Sequence, residues 1–196
     1  MHKFIEKIFN PPADGNCGFH AVAKGLSLSS PQKEKSWREV RQDLIEEIDR
    51  NCKYYNQILG GAVEMDKIRD NLMATAITRM DNWLSKWDHG PILTNTYKRP
   101  FVFFHPDWQN FPPQTFLPTL CSPCGVSIMH PISLGHINGN HWILIIFNEH
   151  EIGKLPLPKL PPQWPGAHSH QSASNWRRVY SSSIKLFQKC RQITCI

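Results

Sequence analysis

A cysteine at the predicted start of a helix is the residue best suited to nucleophilic chemistry in this sequence. Apolar residues follow Cys17 at helical spacing, namely Phe19, Val22, Ala23 and Leu26. The preceding segment Pro11–Asn16 favours a turn, which makes Asn16 a candidate N-cap. Cys17 is therefore predicted to lie in the first turn, where unpaired N–H groups and the helix dipole favour a thiolate. With a histidine nearby, such a cysteine has the makings of a nucleophile.

The histidine that completes this pair is His141. It opens the apolar run Trp142–Phe147, whose isoleucine-rich composition predicts a strand buried on both faces. His141 is then expected at the mouth of a central strand, with its ring facing the start of the cysteine helix. A cysteine followed by a histidine more than a hundred residues later is the order found in several thiol proteases. Taken singly, Cys17 also fits an inert buried thiol, and His141 a core or capping histidine.

Together the two segments resemble the ovarian-tumour (OTU) family of cysteine deubiquitinases. The family's Asp-Gly-Asn-Cys box, followed by an aromatic and small residues, corresponds to Asp14–Ala21. Its late histidine, usually followed by an aromatic residue, corresponds to His141 and Trp142. The resemblance extends over roughly residues 8–148 and leaves the last quarter of the chain unexplained.

The resemblance implies an α+β fold of the papain-like cysteine protease type, with a small central mixed β-sheet flanked by helices. It also implies a deubiquitinase in which Cys17 attacks the carbonyl at the carboxyl end of ubiquitin. His141 would keep the thiolate available and protonate the leaving lysine amine. Asp14 matches the family's aspartate three residues before the nucleophile, and we expect it to hold the oxyanion loop that contains Gly15 and Asn16.

One position departs from the family pattern. Many members carry Asp or Asn two residues after the histidine to orient its ring, and this chain has Ile143 there. The first candidate for the orienting group is Asn140, and the alternatives are Asn138 or an upstream polar residue. Otherwise the site works as a dyad of Cys17 and His141. Trp142 and Trp108 are the candidate substrate-binding residues, although Trp108 also fits an aromatic that covers the sheet edge.

Two long amphipathic helices are predicted behind the cysteine helix. The first starts at a capping box, Ser36–Glu39, and ends at Gly60–Gly61. The second carries apolar residues at three- and four-residue steps from Met65 to Trp87, and Asp88–Pro91 is predicted to end it. Both apolar stripes are interpreted as core.

The remaining elements are a short helix and the strands of the sheet. The helix is predicted around 92–97. Strands are predicted at Phe101–Phe104, Val126–Met129, Ile132–Leu134 and 141–147.

Charge divides the chain into two parts. Of its net charge of +6, residues 1–150 contribute nothing, since they hold 15 basic and 15 acidic residues. Residues 151–196 hold seven basic residues and one acidic residue. We therefore predict an OTU-like catalytic domain at 1–150 and a proline-rich basic tail or surface extension at 151–196, in which Val179–Phe187 forms a short helix or a strand. We interpret the tail as solvated and expect no nucleic-acid partner.

Composition narrows the remaining classes. The charged first residues do not form a secretory signal, and no apolar run reaches the length of about 18 residues that a membrane span needs. We expect an intracellular monomer, in the cytoplasm or nucleus, with ubiquitin or polyubiquitin as partner and ubiquitin-like modifiers as an alternative. Six cysteines without a signal do not indicate a disulfide framework, and the pair Cys121 and Cys124 lacks a second close pair for zinc. We expect no metal and no cofactor.

Two functions compete with an active deubiquitinase. The first is a catalytically silent OTU-like module that binds ubiquitin, which a missing histidine-orienting group would favour. The second is a nucleic-acid accessory protein that uses the basic tail, although basic and aromatic residues do not alternate in the core.

Overall fold

A computed structural model describes residues 4–29, 32, 34–74, 80–107, 110–123, 130–148, 155–161 and 171–193. The helices in these ranges are α1 (Cys17–Ser29), α2 (Trp37–Arg50), α3 (Cys52–Ile58), α4 (Ala62–Met73), α5 (Lys86–Tyr97) and α6 (Gln171–Ile193), and a 3₁₀ helix spans Met80–Asn82. The strands are β1 (Ile5–Phe9), β2 (Phe101–Phe104), β3 (Gln114–Phe116), β4 (Ile132–Ile137) and β5 (His141–Phe147).

The five strands form one mixed sheet in the order β1-β5-β4-β2-β3. Strands β2 and β4 are parallel, and the other neighbours are antiparallel. A tight turn joins β4 to β5, in which Asn138 and Gly139 have φ values of 55° and 72°. Asn-Gly is favoured in such a hairpin turn because both residues tolerate the left-handed region. The turn makes His141 the first residue of β5, an interior strand, as the sequence predicts.

Alternation along the strands gives the sheet two buried faces. In β2, Phe101 and Phe103 belong to the larger apolar cluster, formed with α1, α2 and α5, whereas Val102 and Phe104 belong to a second cluster formed with α6. The mixed sheet with helices on both sides confirms the predicted α+β architecture.

Helix α1 lies close against the sheet because it has glycine at the contact. A Cβ at Gly25 would come within 3.1 Å of Ile132 and 3.2 Å of Leu144, which is tighter than ordinary packing allows. This close approach packs the second half of α1 against β4 and β5.

The second face is covered by residues that the sequence analysis left outside the catalytic domain. Leu155 and Leu157 are each 2 % exposed, and the backbone N–H of Thr115 donates to the carbonyl of Lys159 at 3.1 Å. Trp176 of α6 is fully packed in the same cluster. Residues 155–161 and α6 therefore form a layer of the fold, and the two alternatives for Val179–Phe187 resolve as helix. The division at residue 150 stays a prediction.

The predicted strands at 101–104, 132–134 and 141–147 are confirmed, and Val126–Met129 lies outside the described residues. The capping box at the start of α2 is also confirmed, since the N–H of Ser36 donates to the Glu39 carboxylate at 2.7 Å and the N–H of Glu39 donates to Ser36 Oγ at 3.3 Å. The helix predicted to run to Gly60 is divided at Asn51 into α2 and α3.

The prediction that Asp88–Pro91 ends a helix is wrong, because these residues lie in the first half of α5. Ser85 caps this helix by accepting the N–H of Asp88 at 3.3 Å, while its own N–H donates to His89 Nδ1 at 2.9 Å. The start signal at Ser85 therefore overrides the Gly-Pro stop signal. The predicted helical segment at 92–97 is the second half of α5.

Candidate active site

Helix α1 begins at Cys17, as predicted, and Asn16 occupies the N-cap position. The Asn16 carbonyl accepts the first helical hydrogen bond, from the N–H of His20 at 2.9 Å. Gly18 allows the helix start to touch the segment before α5, because a Cβ there would lie 2.5 Å from the Cβ of Leu84. Any side chain at Gly18 would force Cys17 and Leu84 apart.

Strand β5 brings its first two residues to the cleft that contains the Cys17 sulfur. The backbone N–H of Trp142 donates to Cys17 Sγ at 3.4 Å, so the residue next to His141 contacts the candidate nucleophile. Cys17 and His141 line the same cleft, whose volume is about 480 Å³. Asn10, Trp83 and the turn after β4 form other parts of its wall.

The sulfur is less acidic than its helix position alone predicts. Cys17 is 3 % exposed, and burial raises the pKa of its thiol above the ordinary value. Hydrogen bonds from the N–H groups of Trp142 and Gly18 oppose this rise, whereas the Asp14 carboxylate adds to it. The expectation that the helix start makes Cys17 acidic is therefore wrong for the free protein, because desolvation of the thiolate outweighs the N–H groups.

Asp14 is held by the loop that it shapes. Its carboxylate accepts the N–H of Asn16 at 2.8 Å and lies 3.1 Å from His20 Nε2. Partial burial acts to raise the pKa of Asp14, but these hydrogen bonds and the neighbouring imidazole outweigh it and leave the pKa below its usual value. Asp14 is thus a carboxylate that fixes the turn before Cys17. Gly15 has a φ of 80°, a left-handed conformation that a side chain would strain.

The ring of His141 is held from β1. His141 Nε2 lies 2.7 Å from Oδ1 of Asn10, the residue after the last position of β1. Because an amide oxygen only accepts hydrogen bonds, Nε2 carries the proton and Nδ1 is left as the basic nitrogen. Sequence reasoning missed Asn10, since only the pairing of β1 with β5 brings it to the histidine.

The residues expected to orient His141 lie in the turn. Asn140 is exposed, and its backbone N–H donates to the carbonyl of Ile137 at 3.3 Å. Asn138 adopts the left-handed conformation of the same turn. Neither side chain is hydrogen bonded to His141 in the described part of the chain, where the contact of this ring is with Asn10.

The two candidate substrate-binding tryptophans have different outcomes. Trp142 is 6 % exposed, packs edge-on to Phe103 and donates its indole N–H to the carbonyl of Leu84 at 2.8 Å. This burial makes Trp142 a core residue rather than a surface for a protein substrate. Trp108 lies outside the described residues. Trp83, interpreted from sequence as core, lines the cleft, and its buried indole N–H has no hydrogen-bond partner among the described residues.

The described residues also bear on metal binding and membrane insertion. No group of three or more His, Cys, Asp or Glu side chains there is arranged to hold a metal ion. None of the helices described combines the length and apolar character needed to cross a membrane. Cys121 is described and Cys124 is not, so this pair lies outside what the structure tests.

The mixed sheet between helical layers defines a class, the papain-like fold. No protein-family model matches the chain, and no curated protein matches it. Solved structures do match, and several of them are OTU domains. The OTU domain protease of Qalyub virus aligns with a TM-score of 0.52 at 17 % identity, covering 75 % of this chain and 87 % of that one. The OTU domain protease of Taggert virus aligns with a TM-score of 0.52 at 14 % identity, covering 82 % and 87 %.

An OTU deubiquitinase solved in complex with ubiquitin is also similar to this chain. The enzyme from Wolbachia pipientis wMel, solved bound to ubiquitin, aligns with a TM-score of 0.50 at 15 % identity, covering 72 % of this chain and 95 % of that one. The chain therefore has the fold of OTU domain deubiquitinases, which confirms the resemblance at the level of fold.

Proposed function

We propose that this chain is a cysteine deubiquitinase that hydrolyses isopeptide or peptide bonds at the carboxyl end of ubiquitin. The observation that carries the proposal is the placement of Cys17 and His141 in one cleft, with the sulfur held by the N–H of Trp142. The OTU fold supports ubiquitin as the partner, since one of the similar structures is an OTU deubiquitinase bound to ubiquitin.

Proton transfer has to accompany attack, because the pKa of the buried Cys17 thiol is raised. Nδ1 of His141 takes the thiol proton while the sulfur bonds to the carbonyl carbon, and the carbonyl electron pair moves to its oxygen. The C–N bond then breaks, the proton passes to the leaving lysine amine, and a thioester remains. Water, deprotonated by His141, cleaves the thioester and restores the thiol.

The oxyanion is assigned to backbone N–H groups at the start of α1. The N–H of Asn16 is already donated to Asp14, so we assign the oxyanion to the N–H of Cys17 at the positive end of the helix. Asp14 and Gly15 hold the turn that directs this group. The carboxylate of Asp14 is turned toward Asn16 and His20, which are its hydrogen-bond partners.

Asn10 is assigned the orienting role that the family pattern gives to a residue two positions after the histidine. Its contact with Nε2 fixes the His141 tautomer and leaves Nδ1 for the sulfur. An amide stabilises the imidazolium less than a carboxylate would, which suits a site where the proton moves only on attack.

Hydrolysis of a ubiquitin C-terminal aminomethylcoumarin amide tests the proposal. The wild-type chain is expected to release the fluorophore, and Cys17→Ala and His141→Gln are expected to abolish release. Cys52→Ala is the matched control, because Cys52 is an exposed cysteine on α3. Release that persists in Cys17→Ala, or that falls equally in Cys52→Ala, would overturn the assignment.

The raised pKa of Cys17 favours a second candidate, a silent OTU-like module that binds ubiquitin without cleaving it. Titration calorimetry of the wild-type chain with ubiquitin separates the two. Binding without turnover supports the silent module, and turnover excludes it.

A further inference from the structure

A buried arginine lies beneath the candidate nucleophile loop. Arg41 of α2 is 3 % exposed, and its Nε donates to Oδ1 of Asn16, the residue before Cys17, at 3.1 Å. Its Nη1 donates to the carbonyls of Asn71 and Leu72 at 3.0 and 3.3 Å. One guanidinium therefore connects the nucleophile loop to the carboxyl end of α4.

The same guanidinium reaches the segment that forms the cleft wall. Arg41 Nη2 donates to the carbonyl of Asn82 at 2.6 Å, one residue before the cleft residue Trp83. The carbonyl of Leu84, two residues after Asn82, accepts the indole N–H of Trp142. The backbone N–H of Trp142 in turn donates to the Cys17 sulfur. Hydrogen bonds therefore connect Arg41, the segment at Asn82 and Leu84, and Trp142 to the two ends of the residue pair Asn16–Cys17.

Arg41 is an unusual charge to bury. Among the described residues no carboxylate forms an ion pair with it, and its guanidinium carbon lies 4.1 Å from the centre of the Phe19 ring. Burial lowers the pKa of Arg41 to about 10, which leaves it charged at neutral pH. A buried cation held by neutral oxygens is costly to desolvate, and the four hydrogen bonds of Arg41 and the Phe19 ring offset this cost.

Resting on the proposed function, we propose that Arg41 is a positioning residue of the active site. It holds the Asn16 side chain, and with it the backbone that carries Cys17, in register with the cleft wall around Trp83. It also attracts the Asp14 carboxylate, whose charge otherwise disfavours the Cys17 thiolate. Loss of the cation is therefore expected to make the sulfur less reactive, beyond any change in stability.

Arg99 offers a matched control. It is also a buried arginine held by neutral oxygens, with Nε on the carbonyl of His130 at 3.0 Å and Nη1 on Ser29 Oγ at 3.0 Å. These contacts lie at the carboxyl end of α1, whereas Cys17 lies at its first residue. Arg99→Lys tests what the loss of a buried guanidinium does to stability alone.

The experiment measures the rate at which iodoacetamide alkylates Cys17 as a function of pH in the folded, full-length chain. Arg41→Met is expected to shift the midpoint of the profile upward by about one pH unit, and Arg41→Lys by less, because Lys keeps the charge but loses the fork of donors. Arg99→Lys is expected to lower the melting temperature as much as Arg41→Lys while leaving the alkylation profile in place. Among the described residues, the titratable groups around Cys17 and Arg41 are Asp14, which acts on both, His20, which contacts Asp14, His89, which acts on Arg41, and His141, which lines the same cleft.

Asn16→Ala keeps the test decisive if the Arg41 variants do not fold. It removes the acceptor in the nucleophile loop and leaves the other three Arg41 acceptors in place. We expect it to slow hydrolysis of the ubiquitin amide about tenfold in kcat with little change in KM, and to add little further loss in the Arg41→Lys background.

The proposal is overturned if Asn16→Ala and both Arg41 variants give the same alkylation profile as the wild type. Arg41 would then contribute to stability alone. Failure of the proposed function gives a different result. A wild-type chain that does not hydrolyse the ubiquitin amide refutes the deubiquitinase assignment, while the alkylation profiles still decide the role of Arg41.

Discussion

The two faces of the sheet bury different kinds of side chain. The face toward α1 buries Cys17, Arg41 and His89 among its apolar residues, although thiolates, guanidinium groups and imidazoles are expensive to desolvate. The cluster toward α6 consists of aromatic and aliphatic residues, and beside it the neutral Thr115 hydroxyl donates to the carbonyl of Pro158 at 2.9 Å. The difference agrees with the proposal that the α1 face holds a reaction site, whereas the α6 face contributes stability. Substitutions on the α6 face are therefore expected to change stability, and substitutions at the site on the α1 face to change the reactivity of Cys17.

The largest expected effect on stability lies on the α6 face. Trp176 is fully buried there, and its indole N–H donates to the carbonyl of Cys121 at 2.7 Å. Trp176→Ala is expected to lower the free energy of unfolding by about 3–5 kcal/mol, because it leaves a large cavity and removes the hydrogen bond to the Cys121 carbonyl. Urea unfolding measures the loss. In native buffer the Cys17 alkylation rate is expected to stay at the wild-type value, and a changed rate would show that the two faces are not independent.

On the α1 face, His89 is expected to make the fold sensitive to acid. Burial lowers the pKa of His89 to about 4, against 6.5 for the unfolded chain. The unfolded state then binds more protons than the folded state between these values, so stability falls as the pH drops from 6.5 toward 4. The linked loss is about 3 kcal/mol. Urea unfolding at pH 7 and pH 4 is expected to show a smaller difference for His89→Gln than for the wild type, and equal differences would contradict the assignment.

Substitution of Asn10 tests the orientation of His141 without a large change in stability. Asn10→Ala is expected to lower kcat for the ubiquitin amide about 10- to 100-fold, because His141 loses the group that fixes its tautomer and orientation. Asn10→Asp is expected to retain more activity than Asn10→Ala, since a carboxylate also accepts the Nε2 proton. A larger loss in Asn140→Ala than in Asn10→Ala would restore Asn140 as the orienting residue.

The turn before His141 gives the smallest expected effect. Asn138 has a φ of 55°, which a non-glycine residue other than Asn or Asp adopts at a cost. Asn138→Ala is expected to destabilise the chain by about 1 kcal/mol, and Asn138→Gly to leave stability close to the wild type. Thermal unfolding of both variants checks the order, and a reversed order would contradict the turn conformation.

The parts of the fold that the sequence predicted are those with local signals. The capping residues at Ser36 and Glu39, the isoleucine-rich strand β5 and the turn that ends at Cys17 each specify their structure within a few residues. The helix boundaries around α5 are predicted incorrectly because the start signal at Ser85 and the stop signal at Pro91 lie within one helical segment.

The parts that the sequence did not reveal depend on distant pairing. Strand β1 has three exposed residues out of five and a bulge, so its apolar residues do not alternate. Without β1, no local signal connects Asn10 to His141, 131 residues away. The acidity of Cys17 was misjudged for a related reason, since the desolvation that raises its pKa comes from packing against β5 and the segment at Leu84.

The most direct test of the account is to react the chain with ubiquitin propargylamide and locate the adduct by peptide mapping. The account predicts a single adduct on Cys17 in the wild type and in Cys52→Ala, and none in Cys17→Ala. An adduct on another cysteine, or no adduct on a folded wild-type chain, would contradict the claim that Cys17 is the nucleophile of a deubiquitinase.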